Sequence, residues 1–363
     1  MIKSLMRGLQ EKDMQAVVNT YELKNYYYPS LFPITSQKSL TWKALEVQTG
    51  LRVAGDVISF NSSIPKKDRE AIARIDGDIP KIGLSREKTE DFLNEYNNLR
   101  ALANSDEDLR RLVEMWAEDT EFCWAGVANR LEWIALRQIS LGKVKFTNQN
   151  NAAVVTQFDV DYQIPASQKM GVTDSWNASG AKVTQAFKAA IKAGKDANSS
   201  LKFAWMNMDT FSKMVEQEEI IKKSASFANN ALGISQTPDL STVNSMLSRQ
   251  AWLNGLQIIL VDQDITLELA NGKRNTGNPF EDDVVLFTES KVLGKTFHAP
   301  LADESIEGSV ALKTKRSHTL IKKYAIERPT VTEVTEGMAN AFPAWMGAGR
   351  SVLMQTNNST WNK

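Results

Sequence analysis

Cysteine is nearly absent: Cys123 stands alone in 363 residues. A single thiol excludes an intrachain disulfide framework and any cysteine-rich zinc site. Histidine is almost as scarce, with His298 and His318 alone. Two histidines twenty positions apart leave no room for a two-histidine helical metal motif, and no Gly-x-Ser-x-Gly elbow supplies a nucleophile for a histidine base. Both are read as surface or turn residues. Neither charge sign is in excess, since Lys plus Arg and Asp plus Glu each number 43. A protein that coats nucleic acid or lies on an anionic membrane would show a basic surplus, so contact with a polyanion must be local or weak. No apolar run approaches the roughly 20 residues that span a bilayer. The segment Met1–Arg7 carries charge and apolar residues, but Gln10 to Asp13 interrupt it, so no secretory signal is expected. Synthesis and retention in a cytoplasm would follow. The Asn-x-Ser/Thr triplets at Asn61, Asn177, Asn198 and Asn358 would then carry no glycan.

What the sequence does contain is a long helix-coded run, Ser105 to Leu141. Ser105 reads as an N-cap with Asp106, Glu107 and Asp108 in the first turn, and Asp108 completes a capping box. Leu109, Leu112, Val113, Trp116, Cys123, Val127, Leu131 and Ile134 recur at three- and four-residue steps, while Arg110, Arg111, Glu114, Glu118 and Glu121 take the other side. Gly142 supplies the stop. Cys123 lies on the apolar stripe and reads as a buried structural thiol. Trp116, Trp124 and Trp133 read as packing residues rather than base-stacking platforms, since no basic residues interleave them.

With 363 residues and 42% hydrophobic content, the chain can form roughly two domains of about 150 residues. Residues 1–30 hold short helical periodicity and end in Tyr26-Tyr27-Tyr28-Pro29, too little to form a core alone. Thr41 to Val53 is extended. From Arg52 to Ser85 charges dominate, as in a protruding two-stranded loop. Beyond the long helix the pattern predicts strands at 143–146 and 154–162, and an amphipathic helix marked by Trp176, Val183, Phe187, Ala190 and Ile191 and ending at Gly194. A short strand at 201–206 follows, then a helix capped by Asp209 and another over 241–253. The most apolar strand is 256–261, with an Asn271-Gly272 turn after it and strands at 283–287, 324–328 and 351–354. The order contains no regular βαβ alternation and no repeat, which makes the class α+β.

One segment resembles enzyme chemistry. Ile258 to Leu267 is similar to the first motif of haloacid-dehalogenase-type phosphotransferases, where Asp262 would attack phosphorus, Asp264 would handle the leaving group's proton and Mg2+ would neutralise charge. Yet only about a hundred residues follow, and no lysine-bearing helix or acidic pair falls in order behind it. An Asn-Gly turn nearby explains both acids as loop solubilisers. Gly272-Lys273-Arg274 and Gly294-Lys295-Thr296 lack the earlier glycine of a phosphate loop and read as turns. No catalytic residue, metal ligand or cofactor is assigned.

The order of parts carries more. Arm, strand, charged hairpin, long helix, mixed lobe and late strand resemble the major capsid proteins of tailed bacteriophages. The likeness is to the lambda-type major head protein family, called phage major capsid protein E, with the Hong Kong 97-type capsid fold. The residues that carry it are Leu31-Phe32-Pro33, Ile134 to Val144, Asp159-Val160-Asp161-Tyr162, Phe203 to Asp209 with Phe211, Ile258 to Asp262, and Phe342-Pro343-Ala344-Trp345. The resemblance implies an N-terminal arm (1–30), a peripheral-domain strand region (31–51) and an extended loop (52–85). It further implies a peripheral domain (86–194) with spine helix 105–141, an axial α/β domain (195–305), and a return to the peripheral domain with a C-terminal tail (306–363). In function it implies a non-enzymatic subunit that self-assembles into hexamers and pentamers, the icosahedral shell of a virion made in a bacterial cytoplasm. Scaffolding protein, portal and a decoration protein are its implied partners, and the shell would enclose double-stranded DNA without reading its sequence. An encapsulin-like nanocompartment shares that fold. Lys66, Lys67, Arg69, Arg74, Asp76 and Asp78 on the extended loop are the expected inter-subunit contacts. The basic stretch Lys313 to Lys323 and the tail Gln355 to Lys363 have no counterpart in the resemblance.

Overall fold

The computed structural model describes residues 6, 10–46, 73–152, 158–225, 237–269, 271–306 and 311–363. Their helices are α1 (Glu11–Val18), α2 (Tyr28–Leu31), α3 (Glu90–Leu102), α4 (Asp106–Leu141), α5 (Val183–Asp196), α6 (Met208–Val215), α7 (Glu218–Ser224) and α8 (Leu240–Ser248). Their strands are β1 (Ile34–Ser36), β2 (Thr41–Glu46), β3 (Ala73–Asp78), β4 (Lys81–Lys88), β5 (Lys143–Lys145), β6 (Asp159–Asp161), β7 (Lys169–Met170), β8 (Phe203–Met206) and β9 (Gln257–Leu260). The series continues with β10 (Ile265–Glu268), β11 (Arg274–Gly277), β12 (Val284–Thr288), β13 (Gly294–Ala299), β14 (Leu312–Arg316), β15 (Thr319–Ile326), β16 (Thr332–Trp345) and β17 (Val352–Gln355). The class is α+β.

Two compact units share the chain. The first comprises Met1–Trp42, Asp78–Ala135 and Lys295–Ala344; the second comprises Lys43–Gly77, Leu136–Gly294 and Trp345–Lys363. In the first, a sheet runs β1-β13-β16-β15-β14, and β4 pairs antiparallel with Glu333–Asn340 of β16. Strand β16 is long enough to hold β15 along one edge and β4 along the other. Helix α4 begins as its sequence demands: Ser105 Oγ accepts from the Asp108 amide at 3.2 Å, and Asp108 Oδ2 accepts from the Ser105 amide at 3.1 Å. At 1.5 Å per residue the helix is roughly 54 Å long. Leu112, Trp116, Cys123, Val127, Leu131 and Ile134 are buried along it. Leu109 and Val113, expected on the same stripe, are 56% and 36% exposed. Within residues 1–30, read as an arm, Met14, Val18 and Tyr28 enter the buried interior of this unit, followed by Leu31, with Met14 and Val18 in one cluster with Leu312 and Ile321.

The second unit centres on the sheet β7-β17-β12-β8-β9. Its core packs Phe187 and Ile191 of α5, Phe211 and Met214 of α6 and Val243 of α8 against Ile258, Phe287 and Val352. Gly142 adopts the left-handed backbone that ends α4, with φ of 71°. The cap of α6 is Asn207 rather than the expected Asp209. Its side chain accepts from the Thr210 amide, and Asp209 sits in the first turn, paired with Lys213 at 2.7 Å. The C-terminal tail is stitched to this unit. Thr356 accepts from the Trp176 amide, Asn358 accepts from the Val172 amide, and Lys363 pairs with Glu281 at 2.6 Å.

Candidate functional surfaces and buried charges

Of the expected inter-subunit contacts, Lys66, Lys67 and Arg69 lie outside the described residues. Arg74 and Asp76 fall on strand β3, which pairs with β2, and Asp78 ends that strand exposed to solvent. The basic stretch 313–323 forms the β14–β15 hairpin, and most of its charge is answered locally. Lys315 pairs with Glu304 at 2.7 Å, Lys322 with Asp303 at 3.0 Å, and Lys313 donates to the Asp303 carbonyl at 2.5 Å.

Lys323 is different, being fully buried. Its ammonium donates to the Trp116 carbonyl of α4 at 2.9 Å, stands 4.8 Å from the Trp116 ring centroid and lies 3.5 Å from Glu333, also fully buried. Nearby, Lys88 of β4 and Asp119 of α4 form a second buried pair at 2.9 Å. Burial lowers the Lys323 pKa, and Glu333 opposes that shift. Four charges on α4, β4, β15 and β16 therefore hold one another where water cannot. Sequence reading missed this network, because a charged residue on a strand is ordinarily a solvent-facing one.

A third buried group sits lower on α4. Glu132 accepts from the amides of Tyr27 and Tyr28 at 2.8 and 2.7 Å, satisfying the start of α2. Burial pushes its pKa up to about 7, against the pull of those two amides. Tyr28 shares a 3.3 Å hydrogen bond with His318 Nε2. His318 is buried, contrary to its reading as a surface or turn residue: it follows Ser317, whose φ of 55° folds the β14–β15 turn back on Tyr28. Beside it a groove of 590 Å³ is lined by Tyr21, Tyr26, Trp124 and Arg316. Burial, with His298 and Lys315 adding to it, lowers the His318 pKa to about 4. The unfolded chain therefore takes up a proton near pH 6.5 that the folded unit refuses until about pH 4. Stability present above pH 6.5 is lost as pH falls through that window, by up to about 3 kcal/mol. Glu132 works in the opposite sense, since the folded unit binds its proton first. Denaturant titrations of His318→Gln and the parent at pH 7 and pH 5 should show the variant losing about 2 kcal/mol less on acidification.

Asp262 and Asp264 are exposed in the link between β9 and β10. Among the described residues no group of three histidine, cysteine or carboxylate side chains stands close enough to hold a metal. Cys123 is buried, its Sγ 3.3 Å from the Thr335 carbonyl, and burial pushes the thiol up to about 12, which leaves it protonated and inert. No helix among the described residues is long and apolar enough to cross a membrane.

No protein-family model matches the chain, and no curated protein sequence does. Solved structures do. The crystal structure of a protein from a prophage of Escherichia coli CFT073, assigned as its capsid protein, superposes with a TM-score of 0.58 at 10% identity, covering 96% of this chain and 99% of the other. A phage-related protein from Bordetella bronchiseptica RB50 superposes at 0.53 and 13% identity, covering 95% and 96%. An encapsulin from Synechococcus elongatus PCC 7942 reaches 0.43 at 8% identity, too weak a likeness to weigh.

Proposed function

We propose that this chain, which has the fold of phage capsid proteins, is a shell-forming subunit of a tailed-phage head. The observation that carries the reading is end-to-end likeness: nearly the whole of both chains is matched. On this reading copies assemble into hexamers and pentamers of an icosahedral virion shell around double-stranded DNA. A scaffolding protein and a portal serve assembly, a decoration protein is a further candidate partner, and the lambda-type head family is the proposed kinship. Residues 86–194, with α4 as spine, are the proposed peripheral domain, to which 306–363 return; residues 195–305 are the proposed axial domain. Residues 1–30 and 52–85 are proposed to reach neighbouring subunits. The protein's role is structural rather than catalytic. An encapsulin-like compartment and a phosphotransferase using Asp262 and Asp264, both exposed, remain as rivals.

Electron micrographs of the concentrated protein, alone and with a scaffolding partner, should show shells, tubes or ring-shaped capsomers. Protein cargo inside purified particles would favour the compartment. Monomers under both conditions, with phosphatase activity lost in Asp262→Asn, would favour the enzyme. Exposed pairs are worth under about 1 kcal/mol each but repeat across a shell. Reversing Lys66, Lys67, Arg69 and Arg74 together should therefore lower particle yield and salt resistance, and unchanged particles would remove those residues from the interface.

A further inference from the structure

Helix α5 carries a solvent face unlike its neighbours in the second unit. On α6 and α7 each lysine has an acid four residues before it: Asp209 for Lys213, Glu218 for Lys222, Glu219 for Lys223. This is the arrangement that stabilises a solvated helix. On α5 the positions four before Lys188, Lys192 and Lys195 are Thr184, Lys188 and Ile191, so none is an acid and one is a like charge. All three lysines are exposed, and none forms an ion pair among the described residues. Over residues 182–202 there are five lysines and one aspartate, in a chain whose charges balance overall. The helix dipole accounts for Lys195 in the last turn but not for Lys188 in the middle.

A second observation falls on the same patch. Trp252, in the short turn of helix that packs on α5, is 42% exposed, and the Lys188 ammonium stands 5.8 Å from its ring centroid. That contact keeps one charge at the surface. Arg249 and Lys202, both exposed, lie just before that turn and shortly after α5 in sequence.

We infer that this face, Lys188, Lys192 and Lys195 beside Trp252, binds the phosphate backbone of nucleic acid without reading its sequence. Lysines act as point charges suited to phosphate contact, and seven residues of helix set the outer two about 10 Å apart along a straight line. The identity of the polyanion rests on the capsid reading, in which packaged DNA is the anion at hand. An acidic protein segment would meet the same charge, but Trp252, whose ring the Lys188 ammonium faces, is a single apolar anchor where such an interface buries a cluster of them. Three contacts make the binding weak, which suits a shell that must enclose DNA without trapping it during assembly.

The test is fluorescence anisotropy of a labelled random-sequence DNA duplex with the purified full-length protein, titrated from about 0.05 to 0.2 M salt. Lys188→Gln, Lys192→Gln and Lys195→Gln together should weaken binding about tenfold or more at the lowest salt and flatten the log–log salt slope by about 3. The triple arginine variant should bind as the parent does. Equal affinity and slope in parent and glutamine variant, or no binding by the parent, overturns the inference. So does lysine-dependent binding of polyglutamate without lysine-dependent binding of duplex. Micrographs of the same preparations keep the two readings apart: particles without DNA binding sink this inference alone, and lysine-dependent DNA binding without particles sinks the capsid reading alone.

Discussion

Lys323→Ala should destabilise the first unit by about 3–5 kcal/mol, the range for removing one partner of a buried ion pair. The side chain is wholly buried, and its loss would leave the Glu333 carboxylate without the cation 3.5 Å away and the Trp116 carbonyl without its donor. Those groups cannot turn to water, because the sheet and α4 enclose them. Removing both charges is a different experiment. Lys323→Met with Glu333→Leu trades the pair for apolar volume and should recover most of the loss, since the desolvation cost of the two ions disappears with them. Denaturant unfolding of the single, the double and the parent measures both steps. A single variant within about 1 kcal/mol of the parent would show that Lys323 does not fasten α4 to the sheet.

The same region shows what the sequence could and could not disclose. The start of α4 was legible because Ser105 and Asp108 are a local device, complete within four residues. Its end was legible because Gly142 tolerates the left-handed turn that other residues resist. The reach of its apolar stripe was not. Periodicity marks a face, but what covers that face is set by residues far away in sequence, and the core begins only at Leu112. Asn207 and Asp209 are both good caps two positions apart. The choice fell to Asn207, whose extended backbone, φ −83° and ψ 172°, follows directly from β8. Lys323, Glu333, Lys88 and Asp119 are separated by up to 245 positions, so only folding brings them together. The fold class was readable from the coarse order of parts, and that fold survives at 10–13% identity, where residue signatures do not; β16 and α3 were not singled out. The charged loop gives the opposite case: its residues were easy to single out, and Lys66, Lys67 and Arg69 lie outside the described structure.

Gly337→Ala should destabilise the first unit by about 3 kcal/mol or more, for the sake of a single methyl group. A Cβ at Gly337 would stand 2.4 Å from the Cys123 carbonyl oxygen and 2.8 Å from its carbon, both backbone atoms of α4. Backbone cannot rotate aside, so the helix must lift from β16. Lifting it would loosen the Cys123 contact with Thr335 and the four buried charges together. Gly126, one turn further along the same helix, is the control. There the added methyl would meet only the branches of Leu84, at 2.3 and 2.9 Å, and that side chain can change rotamer. A helical alanine also gains up to about 1 kcal/mol over glycine, which offsets part of the repacking. Gly126→Ala should therefore fall within about 1 kcal/mol of the parent while Gly337→Ala loses several times as much. Equal denaturation midpoints for the two would mean that α4 does not rest on β16 at backbone distance, and the spine would then have to be held to the sheet by its buried charges alone.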